Sequence, residues 1–287
     1  MTALRKGWME DFNGRTVFMS GGSRGIGLAI AVRLAQEGAN VAIMAKTDEP
    51  NPKLPGTIHT AAKEIEDAGG QALGIVGDIR HEDQVEAAVA QTVEKFGGID
   101  ICVNNASAID LRPIGELPPK RYDLMGDINI RGTLVVTQAC LPHLRNSDHA
   151  HVLTLSPPLS TDPKWLKGHG PYTVAKYGMS ILTLGLAADE AENGVAANCL
   201  WPRTLIATAA VQNLLGGDAA MAQARTPQIV ADAAREILAR EPGECTGNAF
   251  IDDEALAQAG ITDLSGYAPA DAELALDLFV DSWPDTP

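Results

Sequence analysis

The sequence predicts an α/β chain organised around a doubly wound parallel sheet of about seven strands flanked by helices, as one domain over residues 1–287. Three observations carry that prediction. Short apolar runs of strand length alternate along the chain with segments whose apolar residues recur at helical spacing. The first run, from Thr16 to Ser20, breaks into a turn holding Gly21, Gly25 and Gly27 and opens directly into a helical pattern. With 287 residues, 45% of them hydrophobic, the chain can also bury a large core. Strands joined through helices need right-handed crossovers, which makes the sheet parallel.

Ile26, Ile30 and Leu34 share one side of the first helix, which ends near Gly38, and residues 41–45 form the second strand. Residues 48–56 carry three prolines and read as an inserted loop. A helix over 57–68 leads to a third strand at 72–76. Residues 82–96 are amphipathic, with Val85, Val89, Val93 and Phe96 on one face, and 99–103 is the fourth strand. One long helix is expected over 119–144, then a fifth strand at 151–155 that breaks at Ser156-Pro157-Pro158. A polar loop through Gly170 precedes the helix containing Tyr172 and Lys176, and the sixth strand is 195–201. The Ala- and Gly-rich segment 202–224 suits a mobile flap over a ligand. A helix at 228–239 and a strand at 249–251 finish the sheet. Residues 253–287 form an acidic extension whose Leu274, Leu276, Leu278 and Phe279 can pack back on the domain.

Composition narrows the function. A net charge of −15 argues against a nucleic-acid partner, which needs a concentrated positive face. Cys102, Cys140, Cys199 and Cys245 are far apart and show neither zinc nor disulfide spacing. They read as reduced core residues, and no metal site is expected. The polar N-terminus through Gly14 is unlike a signal peptide, and no apolar run approaches the ~18 residues of a membrane span. A cytoplasmic setting is expected.

A strand, a glycine turn and a helix together make a dinucleotide site. The glycines admit backbone close to the pyrophosphate, and the new helix aims free N–H groups at it. An acidic residue at the end of the second strand would accept hydrogen bonds from the NAD ribose. Here the strand runs into Lys46-Thr47, and Arg24 sits in the turn, so two cations suit the extra phosphate of NADP. Asp78-Ile79 after the third strand is placed to reach the adenine, or Asp78 caps a turn. Asn104-Asn105 at the fourth strand's end either ties loops together and meets the cofactor or simply forms a turn. Asn129 is an unusual interior helix residue, with a polar duty or a satisfied side chain. Tyr172 and Lys176 are four apart and share a helix face. A phenol ordinarily titrates near ~10, and an adjacent ammonium favours its phenolate, bringing it towards work as a general acid/base.

With these motifs in this order, residues 14–251 resemble the short-chain dehydrogenase/reductase family, whose fold is a Rossmann-type sheet. The resemblance rests on Ser20-Gly21-x-x-x-Gly25-Ile26-Gly27, Asn104-Asn105-Ala106-Ser107, Asn129 and Tyr172-x-x-x-Lys176. It implies a carbonyl/alcohol oxidoreductase using NADP(H), working as a homodimer or homotetramer. The cofactor would lie on Gly21, Ser23, Arg24, Gly25, Ile26, Gly27, Lys46, Asp78, Ile79, Asn105, Ala106, Tyr172, Lys176 and Pro202. Tyr172 would protonate the carbonyl oxygen, Lys176 would hold the nicotinamide ribose, and Asn129 would hold a water relay.

Two positions depart from the family. Its serine, thirteen residues before the tyrosine, falls on Leu159, and counting from the strand end lands on Pro157. Ser156 and Ser160 are the nearest hydroxyls. Ser156 is the expected carbonyl donor, because the strand end sets its position. After the sixth strand the family's Pro-Gly is Pro202-Arg203, an arginine expected to point to water, with an anionic acyl substrate as the alternative. The expected substrate is a lipid-like or acyl small molecule. A cofactor-sensing protein with weak catalysis and a lipid-binding module on the same fold are the other two readings.

Overall fold

A computed structural model describes residues 12–51 and 54–283. The chain alternates as follows: β1 (Thr16–Ser20), α1 (Gly25–Ala35), β2 (Asn40–Ala45), α2 (Ile58–Asp67), β3 (Gln71–Val76), α3 (Glu82–Phe96), β4 (Ile101–Asn104) and α4 (Pro119–Met125). After a π-helical turn at Gly126–Arg131 come α5 (Gly132–Leu144), β5 (His151–Thr154), α6 (Pro163–Leu166), α7 (Gly170–Asp189) and β6 (Ala196–Trp201). Then follow α8 (Ala209–Leu214), α9 (Gly217–Ala222), α10 (Gln228–Leu238), β7 (Ala249–Ile251) and α11 (Asp252–Gln258). The seven strands pair in the order β3-β2-β1-β4-β5-β6-β7, and every pair is parallel.

Strand periodicity divides the core into two layers, because successive side chains leave a strand on opposite faces. Val17 and Met19 of β1 join Ile30 and Leu34 of α1 and Ile229 and Ile237 of α10 on one face. Phe18, between them, joins Val85 of α3 and Val136 and Cys140 of α5 on the other. Covered on both sides, β1, β4, β5 and β6 are buried throughout, as interior parallel strands must be. All four cysteines are buried and free, as their apolar settings suggested. Among the described residues no helix is long and apolar enough to cross a membrane.

Two differences from the sequence reading have local causes. The helix expected over 119–144 is interrupted by the π turn, in which Asn129 turns inward. Residues 202–224 are not an open flap but carry α8 and α9, the first capped by the Thr208 hydroxyl accepting from Val211 N–H. The acidic extension does pack back. Leu276 bridges Thr204, Leu205 N–H donates to Ala275 C=O at 3.0 Å, and Trp201 Nε1 donates to Leu278 C=O at 2.8 Å. The first eleven residues and the last four of the expected domain lie outside the described residues.

Candidate active site

A cavity of about 640 Å³ opens along the C-terminal ends of the strands, where a doubly wound sheet leaves a crevice. Its first wall is the glycine turn. Gly21 and Gly25 take φ of +76° and +59°, a region that disfavours side chains. A Cβ on Gly27 would stand 2.4 Å from Asn105 Nδ2 and 2.7 Å from Gly21 C=O. That closeness serves a bond, since Asn105 Nδ2 donates to Gly21 C=O at 2.7 Å. Ser20 Oγ accepts from the N–H groups of both Asn105 and Ala106 at 3.3 Å. Asn105 thus ties the end of β4 to the turn, while Asn104 Nδ2 donates to Thr137 Oγ1 on α5 at 2.9 Å. No side chain caps α1, so its first N–H groups stay free for an anion.

At the far end of this wall lie Arg24, Lys46 and Asp78. Arg24 lines the cavity while its guanidinium donates to the carbonyls of Pro55 and Gly56, at 3.1 and 2.8 Å, pinning the inserted loop. Lys46 is largely exposed and 3.7 Å from Asp78. Burial opposes ionisation of Asp78, but hydrogen bonds from Arg80 and the charge of Lys46 prevail and hold the carboxyl down at about 2. Ser23, Ile26, Ile79, Ala106 and Pro202 also line the cavity; Gly27 supports it from behind, through Asn105.

The second wall carries the ionisable groups. Tyr172 and Lys176 both line the cavity from α7. Lys176 Nζ donates to Leu155 C=O at 2.5 Å and lies 4.9 Å above the Trp201 ring. Burial lowers it to about 7, against the opposing pull of Asp277. Tyr172 stacks on Phe279 at 6.2 Å. Its hydroxyl is pushed up by burial and then by the Asp277 carboxyl, the reverse of the lowering expected from Lys176. Burial outweighs any help from the ammonium, which itself bonds Leu155 and lies over the Trp201 ring. Asn129 is fully buried, with Oδ1 accepting from Ala108 N–H at 2.7 Å and Nδ2 donating to Ala108 C=O at 3.1 Å. Its side chain is satisfied, and its neighbour Ile128 is the one lining the cavity.

Two sequence expectations need correction. Ser156 is fully buried, its hydroxyl has no hydrogen-bond partner, and it does not line the cavity. It lies beside Cys199 in the core. Ser160 does not line the cavity either, and its hydroxyl accepts from Asp162 N–H. Nor does Arg203 point to water. It is 3% exposed, and Nε meets Asp253 at 2.5 Å, Nη1 meets Ser282 C=O at 2.6 Å, and Nη2 pairs with Glu254.

Reasoning from sequence missed Asp277 and Leu278, which line the cavity beside the tyrosine and lysine, and Phe279, which covers them. The apolar alternation in the extension hinted that it packs back; nothing local marked the carboxyl between those leucines.

The sequence pattern described as short chain dehydrogenase matches residues 15–217. The chain belongs to the short chain dehydrogenase family. It is 52% identical over 273 residues to hydroxysteroid dehydrogenase-like protein 2 of Xenopus tropicalis, covering 95% of this chain and 65% of that protein. The chain thus spans about two thirds of that relative's length. A solved short chain dehydrogenase from Mycobacterium thermoresistibile is 60% identical with a TM-score of 0.89, covering 94% of this chain and 96% of that one. Members of the family bind nicotinamide cofactors. A Burkholderia cenocepacia member in complex with NADP is 27% identical, with a TM-score of 0.71 over 84% of this chain and 97% of that one. An NADH-dependent reductase complexed with NAD, 23% identical, shares the fold (TM-score 0.68, 84% and 95% covered).

Proposed function

We propose that this chain is an NADP(H)-dependent oxidoreductase that interconverts a carbonyl and an alcohol on a lipid-like or acyl substrate, with Tyr172 as general acid/base. The observation that carries the reading is the meeting of the Tyr172–Lys176 pair and the glycine turn on one cavity. The close approach of Gly27 to Asn105 and the uncapped start of α1 fit a pyrophosphate. Arg24 and Lys46 favour the extra phosphate of NADP over the bare ribose of NAD, and Asp78 and Ile79 suit the adenine end.

The bound dinucleotide supplies the hydride. The chain does the rest. Tyr172 holds its proton at neutral pH because burial disfavours the phenolate, so it can donate to a carbonyl oxygen as negative charge develops there. Lys176, lining the same cavity as Tyr172, would hold the nicotinamide ribose. Asn129 fixes the backbone of Ala108 beside them. Ile109, Leu111, Ile206, Val211 and Leu214 give the substrate end an apolar lining that excludes water. We place the protein in the cytoplasm as one NADP-binding unit over residues 1–287. Exposed Leu134 on α5 and Val174 and Ile181 on α7 support pairing through these helices in a homodimer or homotetramer.

A second reading, a cofactor-binding sensor with weak catalysis, has one observation in its favour: neither Ser156 nor Ser160 reaches the cavity. One experiment separates the two. Under the first reading, Tyr172→Phe abolishes NADPH-dependent reduction across a carbonyl panel while calorimetric NADPH affinity stays near wild type, and Lys176→Ala weakens both. Tight NADPH binding by a wild type with no turnover would favour the sensor. Activity persisting in Tyr172→Phe would place the acid elsewhere.

A further inference from the structure

Neither Ser156 nor Ser160, the hydroxyls nearest the family's serine position, lines the cavity. A carbonyl oxygen gaining negative charge is best met by two donors, and Tyr172 is one. Pro157, which takes the serine's place counted from the strand end, has no side-chain donor, and Ser156 faces the core. What the cavity does hold beside Tyr172 and Lys176 is a carboxyl from the C-terminal extension. We propose, on the carbonyl-reductase reading above, that Asp277 is a catalytic residue of this site, its carboxyl donating to the substrate oxygen the hydrogen bond that neither Ser156 nor Ser160 is placed to give.

The backbone around Asp277 is built to present that group. Asp277 N–H donates to Arg203 C=O at 2.8 Å, Ala275 N–H donates to Gln223 C=O at 2.9 Å, and Leu276 bridges Thr204. Two residues on, Phe279 takes φ +71°, the one non-glycine residue with positive φ among those described. Such a conformation is strained and persists only where the surroundings impose it. Here the return is an aromatic cluster, Phe279 lying against Trp165, His169, Tyr172, Tyr177 and Trp201. That cluster holds the strap over the catalytic pair.

The carboxyl has the right chemistry for a donor. Oδ1 accepts from Leu278 N–H at 2.7 Å, which leaves Oδ2 to carry a proton. Burial, and then the charge of Asp252, push the group up to about 7, while Leu278 N–H and Lys176 oppose. The charged and titratable groups around it are Tyr172 and Lys176 of α7, Asp252 and Asp253 of α11, and Arg203 and Arg225. Both arginines are engaged with Asp253. A carboxylic acid kept neutral by an apolar site is a known form of oxyanion donor. In reduction, hydride reaches the carbonyl carbon, the Tyr172 proton reaches the oxygen, and the dinucleotide is left oxidised. Asp277 acts only in its protonated form, populated below about pH 7, and ends the step still protonated.

The test compares Asp277→Ala with Asp277→Asn, using NADPH and phenanthrenequinone as the probe and NADPH fluorescence to follow cofactor binding. Asparagine preserves the acceptor for Leu278 N–H and offers an amide donor in place of the acid. Asp277→Ala should lower kcat by ~10²–10³, the loss typical of one such donor, and Asp277→Asn should stay within about tenfold of wild type. Infrared difference spectra of the NADP-bound protein supply a substrate-free readout. The wild type should show a carboxylic-acid band that fades as pH rises through neutrality and is missing in Asp277→Asn. An Asn variant as slow as the Ala variant, an Ala variant as fast as wild type, or no infrared band assignable to Asp277 would each overturn the donor role. A wild type inert towards the quinone despite an intact band would instead remove the reductase reading, and the donor role with it.

Discussion

Replacing Arg203 by leucine removes the polar tie between the end of the sixth strand, the helix after the seventh and the C-terminal strap. Three bonds go at once: to Asp253, to Glu254 and to the carbonyl of Ser282. Their weights differ. Glu254 is 54% exposed, so its share is that of a solvated pair, below about 1 kcal/mol. Asp253 is 5% exposed and would keep only Arg225, at 3.7 Å, as a counter-charge. Removing one partner of a buried pair costs about 3–5 kcal/mol, because a charge is left in the interior unmatched. Arg203→Leu should therefore lose about 3–5 kcal/mol in urea unfolding, equivalent to roughly 6–12 °C in Tm for a chain of this size. Arg203→Lys should recover only part, because an ammonium cannot reproduce the fork. A loss below about 1 kcal/mol would show that Arg203 is better solvated than its 3% exposure implies, and would refute this account of the strap.

Three more outcomes follow from the same geometry. Lys46→Ala should reduce the preference for NADPH over NADH by about 1.5 kcal/mol, the low end for a charge-assisted contact because Lys46 is 57% exposed, and calorimetry in low and high salt should show the margin shrinking with salt. Ser156→Ala should leave kcat within about twofold of wild type and change stability by less than about 1 kcal/mol, since the buried hydroxyl's neighbour is the Cys199 thiol, a weak hydrogen-bonding group; steady-state kinetics and unfolding midpoints check both. His151, fully buried and lowered by burial from the usual 6.5 to about 3, stays neutral in the fold while the unfolded chain takes a proton below about 6.5. Stability should fall as pH drops from about 6.5 towards 3, by about 1 kcal/mol per unit, and urea midpoints for His151→Gln should lack that part of the slope.

What the sequence determined by itself is what local rules govern. Short apolar runs placed all seven strands and period-3.6 patterns most of the helices, because a strand buried on both faces is apolar throughout and a helix buried on one face is apolar at every third or fourth residue. The glycine turn was legible because its backbone angles and close contacts exclude other residues. Tyr172 and Lys176 were legible because four residues of helix put two side chains on one face. Only the tertiary structure decided what those side chains meet. Lys176 turns to Leu155 and the Trp201 ring, Asn129 closes on Ala108, and Ser156 at the strand end faces Cys199 instead of the cavity. Arg203 and Asp277 change most: a residue placed in water is buried, and an unremarked carboxyl in an acidic tail lines the same cavity as Tyr172 and Lys176. Both depend on contacts between segments far apart in the chain, where burial and charge fix a group's chemistry and no local pattern encodes the neighbour.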